Sequence, residues 1–397
     1  MTTETVGQGT DAGRDLPRVQ FTDAEAGAKE FPSSGARAYE YYNPQKRKRS
    51  LYEDVTVEVQ PDPRHYLSQG WLYSFADGSA GYPLEWTALK ARGQDTNTPP
   101  VRGRGSGGAG HVWPATGWHE YRDPNEEWEQ TFFRFNAEVV RQTTRNVEIA
   151  KQTKAFDSWG QNWVRFAERH VGAWMHVEYG LGMYVFVTAQ RRAPTNMHNN
   201  AISVNSMHKM RFAQDLALYN LTLTEEVEGF QGAAHLEAWN DDEAWGPVRE
   251  TVEQLTAASD WAEAVFATNC IFEPLVGELF RSRLVMQTAA ANGDFITPTV
   301  IGAGEYDYAQ RDLRYTIPMF RPLAEDPEFA AHNRELFAQW FATWVPRCLE
   351  SARQLQPLFS AADARPQRFE DALDASKARF AGICSDLALD VPKELDL

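Results

Sequence analysis

The chain has 397 residues, 43% of them hydrophobic and 24% charged, enough for one large globular domain or about two to three average ones. Its formal charge of −16 argues against nucleic acid as a partner, because a phosphate backbone demands a basic face. Cys270, Cys348 and Cys384 are widely spaced and form no Cys-x-x-Cys pair, so they read as free thiols of a reducing compartment.

The first residues, MTTETVGQGTDAGRD, lack the basic start and apolar run of a secretory signal. The most apolar stretch, Gly172 to Ala189, carries His176 and Glu178, which suits a buried helix better than a membrane span. The expectation is a cytoplasmic protein without a membrane partner.

Residues 1–35 are polar and rich in Gly, Ser and Thr, and read as a disordered or loose tail. From Ala36 to Tyr73 the chain is aromatic, proline-punctuated and without a helical period. It reads as an extended arm lying on another surface, its own or a partner's. Residues 92–117 contain RGRGSGGAG and read as a flexible loop.

Residues 121–397 read as helical. In DPNEEWEQTFFRFNAEVVRQTTRNVEIAKQ, Asp123 can cap and Pro124 suits a first helical position. Trp128, Phe132, Phe135, Val139, Thr143 and Val147 then follow at three- and four-residue steps. A turn near Asp157–Ser158 leads into a long helix ending before Pro194. The next helix, about Met197 to Val227, carries Met207, Met210, Gln214, Leu218 and Leu221 on one face. Further helices are expected near residues 241–258, 260–291 and 298–322. A C-terminal helical part carries Phe329, Leu336, Phe337, Trp340, Phe341 and Trp344 and runs to about Cys384. Long helices with short connections predict an all-α bundle.

Ala167 to Phe186, AERHVGAWMHVEYGLGMYVF, invites a metal-site reading. With Glu168 at zero, His170 lies near about 200°, His176 near about 80° and Glu178 near about 280° around the helix. The four groups point into four quadrants and cannot converge within this helix. Glu-x-x-His does converge, its two ligands about 60° apart and one turn along. No histidine on a predicted helix has an acid three residues earlier; His65 has Asp62 there, in the arm. A bundle diiron site needs two such motifs plus two lone carboxylates. His176 and Glu178 are therefore expected to be hydrogen-bonded core or interface residues.

Other signals carry less. Lys46, Arg47, Lys48 and Arg49 form a short basic cluster flanked by tyrosines in an acidic chain, and read as a solvated or partner-contacting stretch. Gly103 to Gly108 matches G-x-G-x-x-G without a leading strand or a following helix. Arg211 and Asp215, four apart, read as an ordinary ion pair. No Gly-x-Ser-x-Gly elbow is present. Glu148 and Glu178 fall on successive long helices and Glu273 and Asp307 on later ones, in the kind of order a degenerate metal site would use, and coincidence explains them at least as well. No residue is assigned a catalytic, cofactor-binding or metal-ligating role.

NPQKRKRSLYEDVTVEVQPDPRHYLSQGW resembles the N-terminal arm of the β (small) subunit of the hydroxylase in soluble multicomponent diiron monooxygenases. WHEYRDPNEEWEQTFFRFN, HKMRFAQDLALYN and IFEPLVGELFRSRLVMQ resemble helical segments of the same subunits, nearest the propane monooxygenase branch. The resemblance implies a ferritin-like helical bundle with an extended N-terminal arm, residues 36–120 packing on the partner, and additional C-terminal helices. It implies a non-catalytic small subunit whose large (α) subunit holds the diiron centre. It further implies an (αβ)₂ assembly with a second copy of this chain, a regulatory coupling protein, and a reductase carrying FAD and an iron–sulfur cluster that draws electrons from NADH. Two other readings stay open: a chain that itself binds iron through His176, Glu178, Glu148 and Glu273, and a stand-alone interaction scaffold.

Overall fold

The computed structural model describes residues 121–191, 193, 196–258, 260–327 and 330–395, with Tyr52 and the short stretches 39–41, 59–61, 104–107 and 111–114. The expected tail, most of the expected arm, Lys46 to Arg49 and Phe329 lie outside the described residues.

Helix α1 spans Glu129–Thr153. It begins one turn later than expected, because Asp123 is spent elsewhere. Its carboxylate accepts the amides of Asn125 at 2.8 Å and Glu127 at 3.3 Å, closing a turn ahead of the helix. Thr131 serves the helix start instead, its hydroxyl accepting from the Trp128 amide at 2.9 Å. Phe132 is buried and Phe135, Val139, Thr143 and Val147 half-buried, as the spacing predicts.

Helix α2 runs from Gln161 to Gln190 with wide π turns at Ala167–Val171 and Leu181–Phe186. Helix α3 is Asn196–Glu226. A short α4, Ala234–Asp241, and α5, Gly246–Ala257, follow. Helix α6 runs from Trp261 to Ala291 through π turns at Ala267–Gly277 and Leu279–Val285. Pro274 inside the first of these lacks an amide hydrogen, and a widened turn accommodates the missing bond. Helix α7 runs from Thr297 to Ala324 with a π turn at Tyr308–Asp312. Helices α8, Ala330–Gln354, and α9, Phe369–Asp386, complete the chain.

Helices α2, α3, α6 and α7 form the central bundle. Helix α5 packs on α2 and α8, while α8 and α9 cover the outer side of α6. Helix α1 lies along the edge beside α3 and α7. The interior is aromatic. Trp174 stacks on Phe280 at 4.8 Å, and Phe266 meets Phe337 at 4.8 Å and Phe320 at 5.3 Å. Cys270, Cys348 and Cys384 are buried free thiols; burial pushes all three upward, keeping them protonated and inert. Among the described residues no helix is long and apolar enough to cross a membrane.

One expectation needs correcting. The segment read as a flexible loop contains a ladder: β3, Arg104–Gly107, pairs antiparallel with β4, His111–Pro114, where Val112 and Trp113 favour extended backbone. A second ribbon joins β1, Tyr39–Tyr41, to β2, Val59–Pro61. The arm also touches its own chain. Tyr52 is 3% exposed and belongs to the core, its hydroxyl accepting from the Asp123 amide at 3.4 Å.

The apolar stripe of α3 does share one face, and that face points outward. Leu218 is 56% and Leu221 55% exposed. The bundle is served by the opposite side, through Phe212, Leu216, Tyr219 and Leu223. Helix α3 is apolar on both sides, so period alone does not say which side the bundle takes.

Candidate functional site

The bundle's centre holds charge. Glu178 on α2, Lys209 on α3, and Glu273 and Arg281 on α6 converge with side chains no more than 4% exposed. Arg281 donates to Glu273 Oε2 at 2.6 Å, to Glu178 Oε1 at 3.2 Å and to Glu305 Oε2 on α7 at 2.8 Å. Lys209 Nζ donates to Glu273 Oε1 and lies 3.3 Å from Glu178 Oε2. That second contact is an ion pair without hydrogen-bond geometry, so Glu178 Oε2 has no hydrogen-bond partner. Trp174 Nε1 donates to Glu178 Oε1 at 2.7 Å. Gly277 sits one turn from both Glu273 and Arg281; a Cβ there would collide with the Glu273 carboxylate and come within 2.9 Å of Arg281 Nη1.

Isolated charges this deep would be costly, and the four compensate one another. Burial alone would push the Glu273 carboxyl up, but Arg281 and Lys209 outweigh it and hold it below the usual carboxylate range. For Glu178 burial wins over the pull of Lys209 and Arg281, and its carboxyl is raised. Burial works against the Lys209 ammonium, yet Glu178 and Glu273 raise it above its ordinary value, so it stays charged.

A second polar cluster joins α1's entry to α3 and α7. His208 Nδ1 lies 2.6 Å from Asp312 Oδ1, and its Nε2 lies 3.2 Å from Glu127 Oε1. Arg311 donates to Glu127 Oε2 at 2.9 Å and to Asp307 Oδ1 at 2.7 Å. Arg211 ties Asp307 to Asp215, which realises the expected Arg211–Asp215 pair and extends it. Burial would lower the His208 imidazole; Asp312 and Asp307 overcome that and raise it.

The four polar groups of α2 do diverge. Glu168 accepts the Gln231 amide at 2.8 Å, His170 accepts from Trp245 Nε1 at 3.0 Å, and His176 Nε2 faces His235 Nδ1 at 2.9 Å. Only Glu178 of the four reaches the charged centre. Of the set Glu148, Glu178, Glu273 and Asp307, two meet there. Asp307 belongs to the second cluster, and Glu148 lies on the solvent side of α1, 3.6 Å from Lys151. Lys209 and Arg281 were not singled out from sequence. Their signal was available as charged residues inside otherwise buried stretches, which need opposite charges nearby.

The donor set does not fit a metal pair. An ammonium and a guanidinium stand between the two carboxylates, where a cation would go. Among the described residues no group of three or more His, Cys, Asp or Glu is arranged to hold a metal ion.

His170 gives this region a pH signature. Burial lowers its folded value from an ordinary 6.5 to about 4. As pH falls the unfolded chain takes up the proton first, so this group's stability is intact above 6.5 and is lost progressively down to about 4. Unfolding free energy should drop by roughly 2 kcal/mol between pH 7 and 5 from this group. His170→Gln, which can still accept from Trp245, should flatten that slope in urea titrations, and an unchanged slope would refute the assignment.

A family model described as methane/phenol/alkene hydroxylase matches residues 101–327. The chain is 51% identical to the propane 2-monooxygenase hydroxylase small subunit of Rhodococcus jostii (strain RHA1), over 96% of this chain and 97% of the relative. It is 24% identical to the methane monooxygenase component A beta chain of Methylococcus capsulatus, over 86% of each. In fold it matches a chain of toluene 4-monooxygenase, solved with toluene bound, with a TM-score of 0.64 and 19% identity, covering 83% of this chain and all of that one. The helical bundle, its match to that solved fold and the full-length likeness converge: this chain belongs to the methane/phenol/alkene hydroxylase family, among its hydroxylase small (β) subunits.

Proposed function

We propose that the chain is the non-catalytic structural small subunit of a propane-type monooxygenase hydroxylase. The observation that carries this is the centre of the bundle, where Lys209 and Arg281 neutralise the Glu178 and Glu273 carboxylates. The chain spends those carboxylates on its own cations and keeps its interior for packing. The diiron centre then belongs to the large subunit, which hydroxylates propane or a similar small alkane, ketone or phenol with O₂ and NADH. The propane assignment rests on the full-length likeness to small subunits of that name.

The same reading supplies the remaining partners. Two large and two small subunits form an (αβ)₂ hydroxylase in the cytoplasm. A coupling protein docks on it, and a reductase with FAD and an iron–sulfur cluster delivers electrons. Helices holding metal ligands need rigid backing, since a displacement of about 1 Å costs roughly a hundredfold in rate. This chain supplies that backing.

The test is metal analysis of the purified chain alone and co-expressed with its large subunit, with the mass of each species. Iron confined to the large subunit of a heterotetramer is the expected result. Two irons per chain in the isolated small subunit would overturn the reading and favour iron ligation by this chain itself.

A further inference from the structure

Residues 121–128, which lead into α1, are not helical and meet the second polar cluster at His208. This histidine is 2% exposed and fixed on α3. Both of its ring nitrogens meet carboxylate oxygens, Nδ1 at 2.6 Å from Asp312 Oδ1 and Nε2 at 3.2 Å from Glu127 Oε1. A neutral imidazole has one N–H and one bare lone pair, so it would serve one acid and aim the lone pair at the other. Arg311 engages both Glu127 oxygens, at 2.9 Å for Oε2, so Glu127 has no proton to offer Nε2. The geometry therefore calls for the imidazolium, donating from both nitrogens.

The charges around the ring single out this proton. Burial would lower the imidazole and Arg211 works in the same direction, but Asp312 and Asp307 of α7 raise it. Lys209, the next residue on α3, is raised against burial by Glu178 and Glu273 and stays charged. Burial lowers Arg311 only to about 10 and pushes Asp123 up to about 6, so neither changes charge between pH 7 and 9. Burial holds the Tyr121 and Tyr315 hydroxyls well above their ordinary value, so they stay neutral. Asp312 is raised together with His208, and the proton lost on going alkaline is that of the hydrogen-bonded pair.

Once one proton has gone, the remaining N–H stays with the shorter contact, to Asp312 within α7. The contact that turns repulsive is the one to Glu127, on the non-helical entry. Few other bonds hold that entry. Asn200 donates to Glu127 O at 2.7 Å, Asn125 to Arg311 O at 2.9 Å, and the Tyr121 hydroxyl to Tyr315 O at 3.4 Å.

We propose that protonated His208 latches the entry of α1 to α3 and α7, and that loss of its proton as pH rises above neutral loosens residues 121–128 and, with them, the hold of Asp123 on Tyr52 of the arm. The closed state favours the protonated ring. The latch is therefore fully engaged below 6.5 and is lost as pH rises through the folded value. Local opening should increase about tenfold per pH unit above 6.5 and level off once the closed state has lost its proton. The His170 effect lies below 6.5 and runs in the opposite sense, so the two are separable.

The test is hydrogen exchange of the full chain read by mass spectrometry from pH 6 to 9, with rates corrected for the intrinsic pH dependence of exchange. Peptides covering 121–128 should open with that slope, while peptides from α8 should not. In Glu127→Gln the side-chain amide can donate to the neutral Nε2, and the slope should vanish. His208→Gln, which removes the titrating group, should flatten it too and carries the comparison should the first variant fail to fold. A flat wild-type profile at 121–128 would overturn the latch. A rise shared equally by α8 would overturn it in favour of global unfolding, and a wild-type slope in either folded variant would assign the proton to another group.

Discussion

Lys209→Met should lower the unfolding free energy by about 3–5 kcal/mol, because it leaves buried acid uncompensated. Methionine matches the lysine stem in volume and removes only the ammonium. Glu273 then keeps Arg281 but loses the donor to its Oε1, and Glu178 Oε2 loses its ion-pair partner. Neither can recover water, since both side chains are 1% exposed or less. The cost belongs to the unpaired partner and not to the pair, so removing both sides should recover much of it. Urea unfolding of Lys209→Met and of the double variant Lys209→Met, Glu273→Gln reads this directly. Recovery of more than half the loss in the double variant is the expected outcome. A single variant within 1 kcal/mol of wild type would show that the four charges are not mutually compensating.

Trp174→Ala should cost about 3–5 kcal/mol through the cavity it leaves. The indole is fully buried, stacks on Phe280 at 4.8 Å and lies under the Arg281 guanidinium at 5.3 Å. It also donates to Glu178, so alanine removes packing and a hydrogen bond to the charged centre together. Trp174→Phe separates the two. It keeps most of the stacked area and drops the donor, and should cost about 1.5–3 kcal/mol, the range for losing one hydrogen bond to a charged group, since Glu178 Oε1 still accepts from Arg281. Equal losses for the alanine and phenylalanine variants would mean that the hydrogen bond, and not the aromatic stack, holds this position.

Much of the fold was legible in the residues. Helical spacing placed α2, α3, α6 and α7 to within a few residues, since long apolar periods report a helix whatever surrounds it. The absence of Glu-x-x-His from every predicted helix needed no coordinates, and neither did the divergence of Glu168, His170, His176 and Glu178 around α2. The first is read from the residue three positions before each histidine, and the second follows from the angle per residue within one helix. The start of α1 was misread because Asp123 and Pro124 satisfy the sequence rule for a helix entry, while in the fold the Asp123 carboxylate closes a turn.

What period cannot report is how a helix is rotated against its neighbours. That rotation turns Leu218 and Leu221 outward, so that the stripe on α3 faces the surface and not the bundle. It also decides which cations meet which acids. Lys209 and Glu273 are 64 residues apart, and Glu178 and Arg281 are 103 apart. No local rule links positions so distant; only the packing of α2, α3 and α6 brings them within reach. The residues alone determined a helical bundle without the ligand motifs of a metal pair. The tertiary structure decided that its central carboxylates are answered by the chain's own lysine and arginine, because a buried charge takes whatever opposite charge the packing places beside it.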